Sequence, residues 1–173
     1  MKPTNSTKQS VKAAKTEKVM RLMFDSYMAL IENSVGSKQF RNYFAMVDGR
    51  RMDVMEDGGL SCAFFVTSVL VIFNLIERMH GTVGSAESDL KKSGWKEIAK
   101  PKAGCVLVWE KKMPGDKNSH KHIGFYIGGG IAISNDSKKR YPVKHSWDFN
   151  GKRKIDKIFW STKLQNNKSI GIL

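Results

Sequence analysis

The sequence predicts an α+β domain, and three observations point there. An amphipathic helical pattern occupies residues 16–33. An almost unbroken apolar run, Ala63 to Ile76, follows Gly58-Gly59-Leu60-Ser61-Cys62. Short strand-like runs punctuated by turn residues fill the second half of the chain. Helices first and antiparallel strands later is the α+β pattern.

Taken in order, residues 1–18 are rich in Lys, Ser and Thr, lack aromatic residues, and are expected to form a disordered basic tail. They have no apolar central region of the kind a secretory signal carries. From Thr16 to Asn33, Val19, Leu22, Met23, Tyr27, Leu30 and Ile31 recur at helical spacing, with Thr16 as the cap. A hairpin follows: Tyr43–Val47 and Arg51–Met55 flank Asp48-Gly49, a favoured two-residue turn.

The central element comes next. Gly58 and Gly59 break what precedes, Ser61 is an N-cap residue type, and only Thr67, Ser68 and Asn74 are polar between Ala63 and Ile76. A helix apolar nearly all round is a buried one. The run is too short to span a bilayer, which takes about 20 apolar residues. Beyond it, Ser85 to Ser93 is expected as a short helix capped by Ser85, with Gly94 past its end. Trp95–Ile98 is a weak strand and Val106–Trp109 a strong one, and Lys111 to Lys121 is a polar surface loop. Ile123–Ile127 and Ile131–Ser134 form a second hairpin around Gly128-Gly129-Gly130, and Ile155–Trp160 is the last strand. Residues 19–165 are thus expected to form one domain, with 166–173 as a C-terminal tail.

The 173 residues, 40% apolar, suffice for one sizeable core. Two cysteines, Cys62 and Cys105, are too few for a disulfide scaffold, though one bridge between them is open, and neither Cys nor His shows zinc-type spacing. The 30 Lys and Arg against 16 Asp and Glu give a net charge of +14, which attracts polyanions. The basic residues follow no zinc-finger, RNA-recognition or helix-turn-helix pattern. The charge therefore biases the choice of partner, such as an anionic polymer, without encoding recognition.

Cys62 falls at the first turn of the buried helix, where unpaired N–H groups and the helix dipole favour thiolate, so it is a candidate nucleophile. Cys105, within an apolar strand, reads as core. His122 heads an apolar strand after a polar loop. With a turn at Gly128-Gly129 it faces Asn135 on the next strand; a three-residue loop would place it opposite Asp136. Either could orient the imidazole, and thiol, imidazole and orienting group together are what thiol acyl transfer requires.

These residues carry a family resemblance. Cys62 opening a buried helix, the Ala-Gly-x-Val-Leu-Val-Trp strand at 103–109 and His-Ile-Gly-Phe-Tyr-Ile-Gly at 122–128 resemble the NlpC-type cell-wall peptidases. Those belong to the papain-like superfamily that also holds the CHAP amidases. The resemblance covers about residues 40–160. It implies a papain-like fold, with the cysteine helix packed on an antiparallel sheet. It also implies Cys62 as nucleophile, His122 as general base, and one of Ser134, Asn135 or Asp136 as the orienting third residue, with Asn135 favoured. The departures are Ser61-Cys62-Ala63 where the family commonly has Asp-Cys-Ser, and Gly104-Cys105 where it has Gly-Asp. Tyr43 is the candidate for an upstream tyrosine that helps form the family's oxyanion site.

The implied activity is amide hydrolysis, in peptidoglycan stem peptides or another peptide substrate, without metal or organic cofactor, by a monomer. Tyr43, Ser61, Asp136 and His145 are candidates to contact substrate, His145 as a groove-lining residue. The four tryptophans read as core or groove wall, and Lys138-Lys139-Arg140 as a solvated turn that could meet an acidic substrate group. Two other functions fit the same residues: a papain-like isopeptidase or acyltransferase working inside the cell, or a non-catalytic basic module binding nucleic acid. With neither an export signal nor a membrane span read from the sequence, the expected location is cytoplasmic or reached by a non-classical route.

Overall fold

A computed structural model of the chain describes residues 20–111 and 120–165. The expected basic tail, the C-terminal tail and most of the 111–121 loop lie outside the described residues. The domain is α+β. Helix α1 is Met23–Asn33; β1 (Phe44–Val47) and β2 (Arg50–Asp53) form a separate hairpin; α2 is Cys62–Ile72 and α3 is Val83–Lys92. The strands β3 (Lys96–Glu97), β4 (Val106–Trp109), β5 (His122–Gly128), β6 (Ile131–Asp136), β7 (Tyr141–Ser146) and β8 (Ile155–Trp160) follow, then a 3-10 turn, Thr162–Gln165. They build one antiparallel sheet in the order β3-β8-β4-β5-β6-β7. Among the described residues no helix is long and apolar enough to cross a membrane.

The core joins α1, α2 and the sheet. Every residue of β4 is buried. Tyr27 of α1 meets Phe73 and Phe125 edge-on at 5.6 and 5.8 Å, and Phe125 meets Phe65 of α2 at 5.6 Å. The Tyr27 hydroxyl donates to the Gly104 carbonyl at 2.9 Å, tying α1 to the start of β4. Such edge-to-face pairs add about 0.5–1.5 kcal/mol each beyond the area they bury.

The helices end and begin where local chemistry dictates, not always where apolar periodicity does. Helix α2 stops at Ile72, short of Ile76, because Asn74 takes a left-handed conformation (φ 55°). Asn74 N–H then donates to the Val71 carbonyl and Leu75 N–H to the Leu70 carbonyl, both at 2.9 Å. That is a Schellman stop, which satisfies two terminal carbonyls. Helix α3 is capped by Thr82, whose Oγ1 accepts from Ser85 N–H, so Ser85 is the capped residue rather than the cap. Helix α1 begins at Met23 behind Leu22, with no side-chain cap. Thr16 lies outside the described residues.

In the β1–β2 turn, Asp48 and Gly49 are both left-handed (φ 48° and 76°), which two-residue hairpins favour. Strand β7 escapes the periodicity reading, because Pro142 and Lys144 break its pattern. It is an edge strand, and an edge position tolerates proline.

Candidate active site

The chain enters α2 through a tight loop. Glu56, Asp57 and Gly58 all have positive φ (49°, 53° and 91°). A Cβ at Gly58 would lie 2.7 Å from the Arg140 carbonyl oxygen, so the close approach of the β6–β7 turn demands glycine. Asp57 holds that turn through an ion pair with Arg140 (2.6 Å) and pairs also with Arg41 (2.8 Å), which lies ahead of β1. From β6, Asn135 Nδ2 donates to the Gly58 carbonyl at 2.8 Å.

Cys62 is the first residue of α2 and is part-buried; both it and Cys105 are free thiols. Burial pushes the Cys62 thiol up from its ordinary range. The N–H groups of Ala63 and Ile123, the charge of Arg153 and its own N–H pull in the other direction without outweighing it. At the helix start, desolvation of the charged form thus works against the thiolate that the terminal N–H groups favour. Cys105 is fully buried, and burial takes its thiol up to about 11. Among the groups acting on the Cys62 sulfur is the N–H of Ile123 in β5, the residue that follows His122.

His122 Nε2 lies 2.8 Å from Ser134 Oγ, and Ser134 Oγ lies 2.7 Å from His145 Nε2. His145 Nδ1 lies 2.7 Å from the Ser146 carbonyl oxygen. A carbonyl only accepts, so His145 Nδ1 carries a proton. Burial lowers the pKa of His145 from its ordinary value, which favours the neutral ring. With His145 neutral, its Nε2 accepts from Ser134, and Ser134 can in turn accept from a His122 Nε2–H. In that state Nδ1 of His122 carries the lone pair.

Aromatic rings enclose the relay. Trp109, fully buried, lies 5.5 Å from His122 and 5.7 Å from His145 between ring centroids, and its Nε1 donates to the Trp147 carbonyl at 2.7 Å. Phe149 stacks on His145 at 4.1 Å and lies 5.9 Å from His122. Phe149 does so from a left-handed backbone (φ 56°), an uncommon state for a bulky residue. Gly124 leaves the space across which His122 reaches Ser134: a Cβ there would sit 2.6 Å from the Ile133 carbonyl and 2.7 Å from Ser134 Cβ.

The third-residue expectation needs correction. Phe125 pairs with Ile133, and a register shift follows between Tyr126 and Gly128. A turn at Gly128-Gly129 would have paired Phe125 with Ala132; the register found is the one expected of a three-residue loop, which sets position 122 against 136. One step of register moves a residue to the other face of the sheet. Asn135 therefore points to Gly58, and Ser134 takes the place beside His122. Asp136 is occupied otherwise, its Oδ1 accepting from Lys138 and Lys139 N–H in the β6–β7 turn.

His145, expected in a groove wall, sits in the relay. Tyr43 is half-exposed with its ring 5.1 Å from Phe64, two residues past Cys62. Ser61 occupies the N-cap position, but its side chain makes no cap bond and its buried Oγ has no partner among the described residues. Sequence reasoning missed Phe149 and Arg153, which belong to no motif. Among the described residues no group of three His, Cys, Asp or Glu is placed to hold a metal ion.

No protein-family model matches this chain, and no curated protein matches it.

Proposed function

We propose that the chain is a papain-like cysteine hydrolase that cleaves amide bonds in peptidoglycan stem peptides. The observation that carries this reading is the chain of contacts His122–Ser134–His145, which ends on the Ser146 carbonyl and, with His145 neutral, leaves Nδ1 of His122 as the base. Cys62 lies against the N–H of the residue next to that base. The stem-peptide substrate draws support from the strand motif at 122–128 and from the net charge of +14, which suits an anionic wall.

In the reaction, His122 Nδ1 takes the Cys62 proton as the sulfur attacks the amide carbonyl carbon. Burial favours the neutral thiol until then. The Cys62 N–H at the helix start meets the oxyanion. The imidazolium formed donates through Nε2 to Ser134, and the Ser134 proton already points away toward His145. The relay thus presents an oxygen lone pair to the new charge, as an orienting amide or carboxylate would. His122 Nδ1–H then protonates the leaving amine. A water, deprotonated by His122, attacks the thioester carbonyl and releases the acid and the thiol.

The test is digestion of purified peptidoglycan, with products read by mass spectrometry. New amino termini within stem peptides, absent with Cys62→Ala and with His122→Ala, are the expected result. An unchanged digest with the wild-type protein removes peptidoglycan as substrate. Unimpaired digestion by Cys62→Ala removes the thiol mechanism.

A further inference from the structure

We propose that Arg153 is a carboxylate receptor beside the nucleophile, so that the site selects peptides bearing a free carboxylate close to the scissile amide. This rests on the cysteine-hydrolase reading and names the substrate class of that site.

Arg153 lies in the turn that leads into β8. Its Nε donates to the Glu110 carbonyl at 2.9 Å and its Nη2 to the His120 carbonyl at 2.5 Å. The guanidinium carbon lies 5.9 Å from the centre of the Phe149 ring, the ring that stacks on His145 and adjoins His122. Its charge is near enough to act on the Cys62 sulfur. The side chain is thus part-buried and fixed at two points at the edge of the reacting centre.

Those two carbonyls use two of the five guanidinium N–H donors, and both hydrogens of Nη1 stay outside these bonds. Among the described residues no carboxylate lies within ion-pair distance of Arg153, although the neighbouring Lys154 pairs with the Glu110 carboxylate (3.5 Å). Among the described residues this part-buried cation is held by neutral acceptors alone, which gives up hydration without an opposite charge in return. A planar fork with donors outside those two bonds matches a carboxylate in two-point geometry, which lysine cannot do. The nearest function for a cation so placed is to receive a carboxylate on the substrate.

Small alkylating agents test this without knowledge of the substrate. Iodoacetate carries a carboxylate and iodoacetamide its neutral amide. Each forms a bond from the Cys62 sulfur to a methylene carbon and releases iodide. Rates at Cys62 are read by peptide mass mapping, with glutathione as the reference thiol. The expected result is a wild-type iodoacetate-to-iodoacetamide ratio about tenfold above that of glutathione, falling to the glutathione ratio in Arg153→Gln. Lys154→Gln, which removes an exposed neighbouring charge, leaves the ratio in place.

A wild-type ratio no higher than that of glutathione overturns the proposal with no variant needed. So does an equal loss of both rates in Arg153→Gln, which would make Arg153 a thiolate stabiliser, or an equal fall in the ratio in Lys154→Gln, which would make the effect that of bulk charge. If Cys62 reacts with neither reagent, the hydrolase reading falls and this inference with it. If Cys62 reacts quickly but without charge preference, only the inference falls.

Discussion

The Ser134 hydroxyl lies 2.7 Å from His145 Nε2, and that second imidazole decides which way the hydroxyl's single proton points. With His145 neutral, Ser134 donates to it and accepts from His122. With His145 protonated on both nitrogens, His145 donates to Ser134, Ser134 donates to His122 Nε2, and the His122 proton moves to Nδ1. The base is then lost although no heavy atom has moved.

Activity is expected to fall on the acid side as His145 gains its proton. Burial lowers the His145 pKa, so this limb lies below the ordinary histidine value of about 6.5. The sign for stability is the same: below about pH 6.5 the unfolded chain binds a proton that folded His145 resists, so stability declines as pH falls. Comparing the pH profile of Cys62 alkylation in wild type and His145→Gln checks it. An acid limb unchanged by the substitution refutes the relay.

Ser134→Ala cuts the relay and is expected to lower turnover about 10²-fold, a typical share for a group supporting acid–base chemistry. Asn135→Ala should behave differently. It removes the bond to the Gly58 carbonyl, buried beneath the nucleophile loop, and costs about 1–3 kcal/mol of stability. Urea unfolding beside steady-state rates separates the two. A larger loss of turnover in Asn135→Ala than in Ser134→Ala would restore Asn135 as the orienting residue.

The two thiols should titrate apart. Burial raises both, Cys105 to about 11, so Cys105 is expected to stay unmodified at pH 9. His122→Ala removes the proton acceptor, and alkylation of Cys62 should then require a pH above the ordinary thiol value of about 8.5. Unfolded thiols ionise before folded ones here, so stability declines as pH rises through about 8.5. Rapid modification of Cys62 near pH 6 in His122→Ala would contradict a neutral resting thiol.

Gly124→Ala is expected to cost about 2–3 kcal/mol by overpacking, because the new methyl meets the Ile133 backbone as well as Ser134 and Trp109. A melting temperature within a degree of wild type would show that β5 and β6 can part without loss.

Asp53 closes the β1–β2 hairpin. Burial alone would raise its carboxyl, but Tyr43 N–H, Asn42 Nδ2 and the N–H groups of Asp57 and Met55 bring it down to about 2. Its stabilisation is present above the unfolded value of about 3.9 and is lost as pH falls through about 2; solvent screening holds it to about 1 kcal/mol. Acid titration of unfolding in wild type and Asp53→Asn measures this. Identical curves between pH 4 and pH 2 would sink it.

The sequence by itself determined the α+β class, the Asp48-Gly49 hairpin, the buried helix opening at Cys62 and the strand Ile123–Ile127 headed by His122. Each follows from local rules: period of apolar residues, turn chemistry and the glycine before a helix. Tertiary structure decided the rest. Asn74 ended α2 early because it could adopt a left-handed backbone. The register shift between β5 and β6 turned Asn135 away and Ser134 toward His122. The edge strand β7 carried His145 opposite Ala132, and the turn before β8 brought Arg153 to Phe149. Register and strand neighbours are set by pairing across the sheet, where a shift of one residue exchanges the faces, and no local periodicity carries that information.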